Sequence, residues 1–185
     1  MQEILTKLGL EDIPPVEVPK NLSQALKEFR LSNKRFLVLY GSTGTFKTTA
    51  VKKFLKALAE KKYAKNGRVG CHDIKFVDFV DMPKLWQEDE EVFYRTKLLA
   101  IDDLVLSGFP DSFWVKLFSL INYRYTKDLK TIITTNHNLK SFLEGETTFQ
   151  QKIASRLCDE NLSMLVLSET SYRNPNKNHY PTSSW

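Results

Sequence analysis

The sequence predicts an α/β domain with a parallel, five-stranded sheet covered by helices on both faces. Three observations lead there. Apolar runs of buried-strand length alternate with segments of helical periodicity. The loop "GSTGTFKTT", from Gly41 to Thr49, joins the first such run to the first long helix. The polar residues that do not suit a core fall at the C-terminal ends of the runs, where ligands bind in sheets of this kind.

The elements follow in chain order. Pro14, Pro15 and Pro19 make residues 1–20 an extended N-terminal arm. "NLSQALKEFRLSNK" reads as a short helix capped by Asn21 or Ser23. "RFLVLY" (Arg35–Tyr40) has the continuous apolar run of a strand buried on both faces. After the glycine loop, a helix from about Lys47 to Lys62 sets Val51, Phe54, Leu55 and Leu58 on one face. "IKFVDFV" (Ile74–Val80) and "KLLAIDD" (Lys97–Asp103) are the next two strands, separated by a polar helix in "DMPKLWQEDEEVFYR". "PDSFWVKLFSLINYRYTK" carries a helical stripe through Phe113, Leu117, Leu120 and Ile121, behind a cap at Asp111 or Ser112. "TIITTN" (Thr131–Asn136) is the fourth strand, a helix around Phe149–Leu157 follows, and "LSMLVLS" (Leu162–Ser168) is the fifth. Residues 175–185 have no apolar periodicity and read as a tail.

Composition narrows the class. With 185 residues, 42% hydrophobic and 26% charged, the chain has the size and make-up of one globular domain. No apolar run approaches the ~20 residues that cross a bilayer, and the first residues lack a signal-peptide core, which predicts a cytoplasmic protein. Cys71 and Cys158 fit no metal or redox spacing and read as reduced thiols; His137 and His179 have no companions at ligand spacing. A net charge of +5 is compatible with a polyanionic partner without requiring one. The basic residues bunch between Val51 and Arg68, either as a solvated helix face or as part of such a surface.

The chemistry sits at the strand ends. The loop Gly41, Ser42, Thr43, Gly44, Thr45, Phe46, Lys47, Thr48, Thr49 follows the phosphate-binding pattern except at Phe46, where the pattern has glycine. Its amides would face phosphates, Lys47 would reach the β- and γ-phosphates, and the Thr48 hydroxyl would bind Mg²⁺. A helix begins at this loop, and its dipole adds about half a positive charge there. In "LLAIDD" two carboxylates emerge from a buried strand: Asp102 suits Mg²⁺, which prefers oxygen ligands, and Asp103 the attacking water. Asn136 ends the fourth strand, either as a turn residue or as a contact to the γ-phosphate. Arg156 and Arg173 carry planar, permanently charged donors suited to phosphate oxygens.

These residues together resemble the AAA+ ATPase domain of DnaC-type helicase loaders and the related IstB-like transposition helpers. The resemblance runs from about Asn21 to Asn174 and is most specific in "GSTGTFKT", "LLAIDDL", "INYRYTKDLKTIITTN", "IASRL" and "SYR". It implies a P-loop NTPase of AAA+ type, strand order 5-1-4-3-2, with no separate lid domain. It implies ATP and Mg²⁺ as ligands, Asn136 as sensor 1, Arg156 as an arginine finger acting on ATP in a neighbouring subunit, and Arg173 as sensor 2 in its own site. The implied partners are single-stranded DNA, further copies of the chain, and a replicative helicase or a transposase. The implied function is helicase loading in DNA replication; the alternatives are a transposition helper and, if Phe46 closes the loop, a non-hydrolysing scaffold. The segment Asp81–Arg95 stands where initiator-type relatives insert a DNA-touching helix, but Glu88, Asp89, Glu90 and Glu91 argue against a phosphate-binding face.

Overall fold

The computed structural model describes residues 1–143 and 148–168. Five parallel strands form one sheet in the order β2-β3-β4-β1-β5: β1 (Phe36–Tyr40), β2 (Ile74–Asp78), β3 (Leu98–Asp102), β4 (Lys130–Thr135) and β5 (Ser163–Leu167). This is the expected order. The helices are α1 (Gln2–Leu8), α2 (Lys20–Leu31), α3 (Lys47–Asn66), α4 (Met82–Arg95), α5 (Asp111–Thr126) and α6 (Phe149–Leu157).

Two cores flank the sheet because successive side chains in a strand point to opposite faces. In β1, Leu37 and Leu39 pack with α1, α2 and α3, whereas Phe36 and Val38 pack with α4, α5 and α6. The continuous apolar run in the sequence reflects this double burial.

The structure departs from expectation at several places. The arm is not extended throughout: residues 2–8 form α1, and Leu5, Leu8 and Leu10 are buried in the same core as β1 and α3. Gly9 closes α1 with φ 76°, and a Cβ there would stand 2.4 Å from the Phe76 carbonyl oxygen, so the helix reaches β2 only through glycine. Asn21 and Ser23 lie inside α2, whose N-cap is Pro19 without a side-chain hydrogen bond; Asp111 and Ser112 lie inside α5, whose N-cap is Pro110. Proline is compatible with these positions because its ring holds φ near −65°, close to the −50° and −68° found there. α3 runs to Asn66, past the expected Lys62, before Gly67 ends it. α4 is kinked: Asp89 has φ −156° and ψ 84°, and its Oδ1 accepts from the Val92 amide at 3.3 Å, which restarts the helix as an internal cap. The strands also end sooner than expected, leaving Phe79–Asp81 as a 3₁₀ turn and Asp103 and Asn136 just beyond β3 and β4.

Candidate nucleotide site

At the C-terminal end of the sheet the chain leaves β1 at Tyr40 and enters α3 at Lys47. Phe46 is the residue before α3 and has φ 58° and ψ 21°. That left-handed conformation is the one glycine adopts freely; Phe46 holds it at a steric cost of about 1–2 kcal/mol. The loop is fixed from β5: the Ser168 amide donates to the Tyr40 carbonyl at 2.8 Å and the Ser168 hydroxyl to the Thr45 carbonyl at 3.1 Å. A Cβ on Gly41 would stand 2.4 Å from the Ser168 carbonyl oxygen.

Lys47 is buried at the centre of this turn. Its Nζ donates to the Gly41 and Ser42 carbonyls, both at 2.8 Å, to Thr45 Oγ1 at 3.2 Å and to Asn136 Oδ1 at 3.0 Å. Burial lowers its pKa from the ordinary 10.5, while Asp103 and Asp102 act in the opposite direction. Thr48 Oγ1 donates to Asp102 Oδ2 at 2.9 Å, and Thr134 Oγ1 donates to Asp102 Oδ1 at 2.6 Å. Burial pushes the Asp102 carboxyl above its ordinary 3.8, against the pull of those two hydroxyls. Asp103 turns out of β3 at φ 54° and its Oδ1 accepts from Asn136 Nδ2 at 2.7 Å. Asn136 therefore bridges the lysine and the second carboxylate.

These groups open into one cleft of about 310 Å³, whose lining includes Thr43, Gly44, Thr45, Phe46, Lys47, Thr48, Thr49, Asp102, Asp103 and Asn136, with Pro14 and Val16 from the N-terminal segment. Val16 also borders an adjoining cleft of about 630 Å³, with Pro15, Val18, Leu26 and Phe54 among its walls.

The Thr48 hydroxyl and the Asp102 carboxylate are oxygen donors of the type Mg²⁺ takes, and they stand side by side. Among the described residues no group of three or more His, Cys, Asp or Glu could hold a metal. An ion here would draw its remaining ligands from water and phosphate oxygens, as Mg²⁺ commonly does.

Arg156 stands apart. It lies near the C-terminus of α6, and its carbonyl accepts from Ser163 Oγ at 3.4 Å. Ser163 opens β5, which runs parallel to β1 toward the glycine loop. Five strand residues, at about 3.3 Å each, place roughly 16 Å between Arg156 and the level of its own loop. Arg173 lies outside the described residues.

Sequence reasoning missed Thr134, Pro14 and Val16, and also Asp78, which pairs with Asp102 in register at the end of β2. Burial raises the Asp78 carboxyl above its ordinary 3.8, Lys52 opposing and Asp81, Asp103 and Glu11 adding to the rise. Asp78 was hidden because Phe79 and Val80 extend the apolar run past it, whereas β2 ends at Asp78 itself. Thr134 carried no signal, because threonine is an ordinary strand residue.

No protein-family model matches the sequence, nor does any curated protein. Solved structures do match the fold. AMPPCP-bound DnaA from Aquifex aeolicus superposes with a TM-score of 0.61 at 19% identity, over 86% of this chain and 52% of that one. The DnaC helicase loader gives 0.56 at 20% identity, over 91% of this chain and 99% of that one. The replication initiator DnaA bound to AMPPCP and single-stranded DNA gives 0.57 at 18% identity, over 82% and 45%. The chain has the AAA+ P-loop fold. It spans about half the length of the two DnaA chains and nearly all of the DnaC chain. In this AAA+ frame, the loop, the paired aspartates and Asn136 meet in one cleft. Arg156 falls at the opposite end of the sheet.

Proposed function

We propose that the protein is a magnesium-dependent ATP hydrolase that assembles on single-stranded DNA and loads a replicative helicase. The observation that carries the hydrolase reading is the convergence of Lys47, Thr48, Asp102, Asp103 and Asn136 on one cleft at the strand ends. The similarity to DnaA and DnaC supports the replication role. A cytoplasmic location accords with that role, and among the described residues no helix is long and apolar enough to cross a membrane.

In this reading the triphosphate lies along the loop and the α3 N-terminus, where free amides and the helix dipole favour anions. Lys47 exchanges the Gly41 and Ser42 carbonyls for β- and γ-phosphate oxygens. Thr48 and Asp102 would hold Mg²⁺, which when bound neutralises charge on those oxygens. Asp103, oriented by the Asn136 amide, accepts a proton from the water that attacks the γ-phosphorus as the bond to the β-phosphate breaks. Asn136 stands between that water and the lysine. The nucleoside end extends past Val16 toward the larger, mainly apolar cleft. Because Phe46 already adopts the backbone conformation that glycine would supply, the turn is retained and the site stays open to nucleotide. Arg156 is too far from its own loop and acts on the nucleotide of a neighbouring copy; Arg173 acts within its own site.

The test is direct. Lys47→Ala is expected to lower ATP hydrolysis by about 100-fold or more with the fold retained by circular dichroism. A fluorescent ATP analogue that fails to bind the unaltered protein at millimolar concentration would overturn the reading in favour of a scaffold.

A further inference from the structure

Arg156 has defined contacts. Its Cζ lies 5.1 Å from the ring centroid of Tyr125, and its Nε donates to Asn122 Oδ1 at 3.3 Å. Tyr125 is fixed in turn. Its hydroxyl donates to Asp159 Oδ2 at 2.7 Å, its ring stacks on Phe36 with centroids 6.4 Å apart, and its carbonyl accepts from the Arg35 guanidinium. Phe36 is fully buried, so the platform is anchored in the core. Asp159 also shapes the turn into β5: its Oδ1 accepts from the Asn161 amide at 2.9 Å and its carbonyl from the Leu162 and Ser163 amides.

The guanidinium thus lies over an aromatic ring with Nε occupied. Among the described residues no hydrogen bond engages its two terminal nitrogens, and these are the pair that grips a phosphate in bidentate fashion. An arginine left free in solvent loses rotamer freedom when it docks on an anion; one already stacked has lost much of it beforehand.

We propose that Tyr125 is a positioning residue that, with Asn122 and Asp159, holds Arg156 ready for the polyphosphate bound by a second copy of the chain. This rests on the in-trans role of Arg156 proposed above. In this proposal Tyr125 acts through Arg156.

The experiment separates donor from acceptor. Lys47→Ala protein can donate Arg156 but cannot hydrolyse, whereas Arg156→Ala protein can hydrolyse only with a donated arginine, so mixing the two restores turnover. Adding Tyr125→Leu to the Lys47→Ala donor is expected to cut kcat of the mixture about tenfold at saturating donor. KM for ATP stays unchanged because the nucleotide sits in the untouched acceptor. Tyr125→Phe in the donor keeps the ring and is expected to restore most of the rate. Should the Tyr125→Leu donor not fold, as read by its thermal melt, Asn122→Ala in the donor provides the same test with a loss of the same sign. A Tyr125→Leu donor as effective as the unmodified one overturns the proposal; so does a loss that disappears on raising donor concentration, which would place Tyr125 in subunit contact alone. If Lys47→Ala and Arg156→Ala fail to complement each other with Tyr125 intact, the in-trans role itself is overturned.

Discussion

The two ends of the sheet both bury charge, and they treat it differently. At the lower end, where the strands begin, Arg124 is fully buried; its guanidinium donates to Thr131 Oγ1 and to the carbonyls of Phe93, Thr96 and Lys130 at 2.7–2.9 Å. Lys130 beside it donates to the carbonyls of Phe29, Ser32 and Lys34 at 2.8–2.9 Å. These acceptors are mostly backbone at helix ends and strand starts, fixed by the fold. At the upper end Lys47 and Asp102 share a cleft, yet each bonds to neutral partners, several of them side chains or loop atoms able to turn away. A closed cation stiffens a structure. An anion and a cation kept apart in one cleft can each serve a ligand of opposite sign.

That contrast can be broken first at the lower end. Arg124→Leu leaves four acceptors, three of them buried, without their donor and is expected to cost about 3 kcal/mol, read as a lower urea midpoint. At the upper end the sign reverses. Asp102→Asn removes a charge whose burial is unfavourable, so it is expected to stabilise the ligand-free protein by about 1 kcal/mol while abolishing the magnesium dependence of nucleotide binding. Its titration sharpens the point. Because the folded Asp102 carboxyl lies above 3.8, its protonated form is favoured by folding, and the stability linked to it is present below pH 3.8 and lost as pH rises through the folded value. Magnesium affinity should therefore begin to fall, as pH is lowered, before an ordinary aspartate would protonate; a magnesium titration across acidic pH measures it. The smallest effect is expected at Phe46. Phe46→Gly relieves left-handed strain but frees the unfolded chain, so stability should move by less than about 1 kcal/mol, and ATP affinity by only a few-fold, in isothermal titration.

The upper end was the more legible in sequence, because its residues depart from the local rules of strands and helices. A glycine loop after an apolar run, carboxylates at a strand exit and an asparagine at another are each out of place in a core, and the structure brings them within one cleft. The lower end hid its main device. Arg124 sits in α5 among residues of helical periodicity, and nothing in the sequence told a buried arginine from a solvated one, since its acceptors are backbone carbonyls from other elements. α1 was missed for a related reason. Its seven residues are too few for a strong periodic signal, and the prolines after it dominated the reading, although Leu5, Leu8 and the closing Gly9 were present. The helix caps were missed because proline can start a helix with no side-chain hydrogen bond to announce it.

Ser168 gives the fold a mechanical linkage. It grips the glycine turn on both sides, at Tyr40 and at Thr45, and a Cβ on Gly41 would meet its carbonyl oxygen. Tension along the polypeptide leaving β5 is thus delivered to the turn itself, with no compliant segment between. Whatever displaces that serine also displaces the turn where the proposed nucleotide would lie.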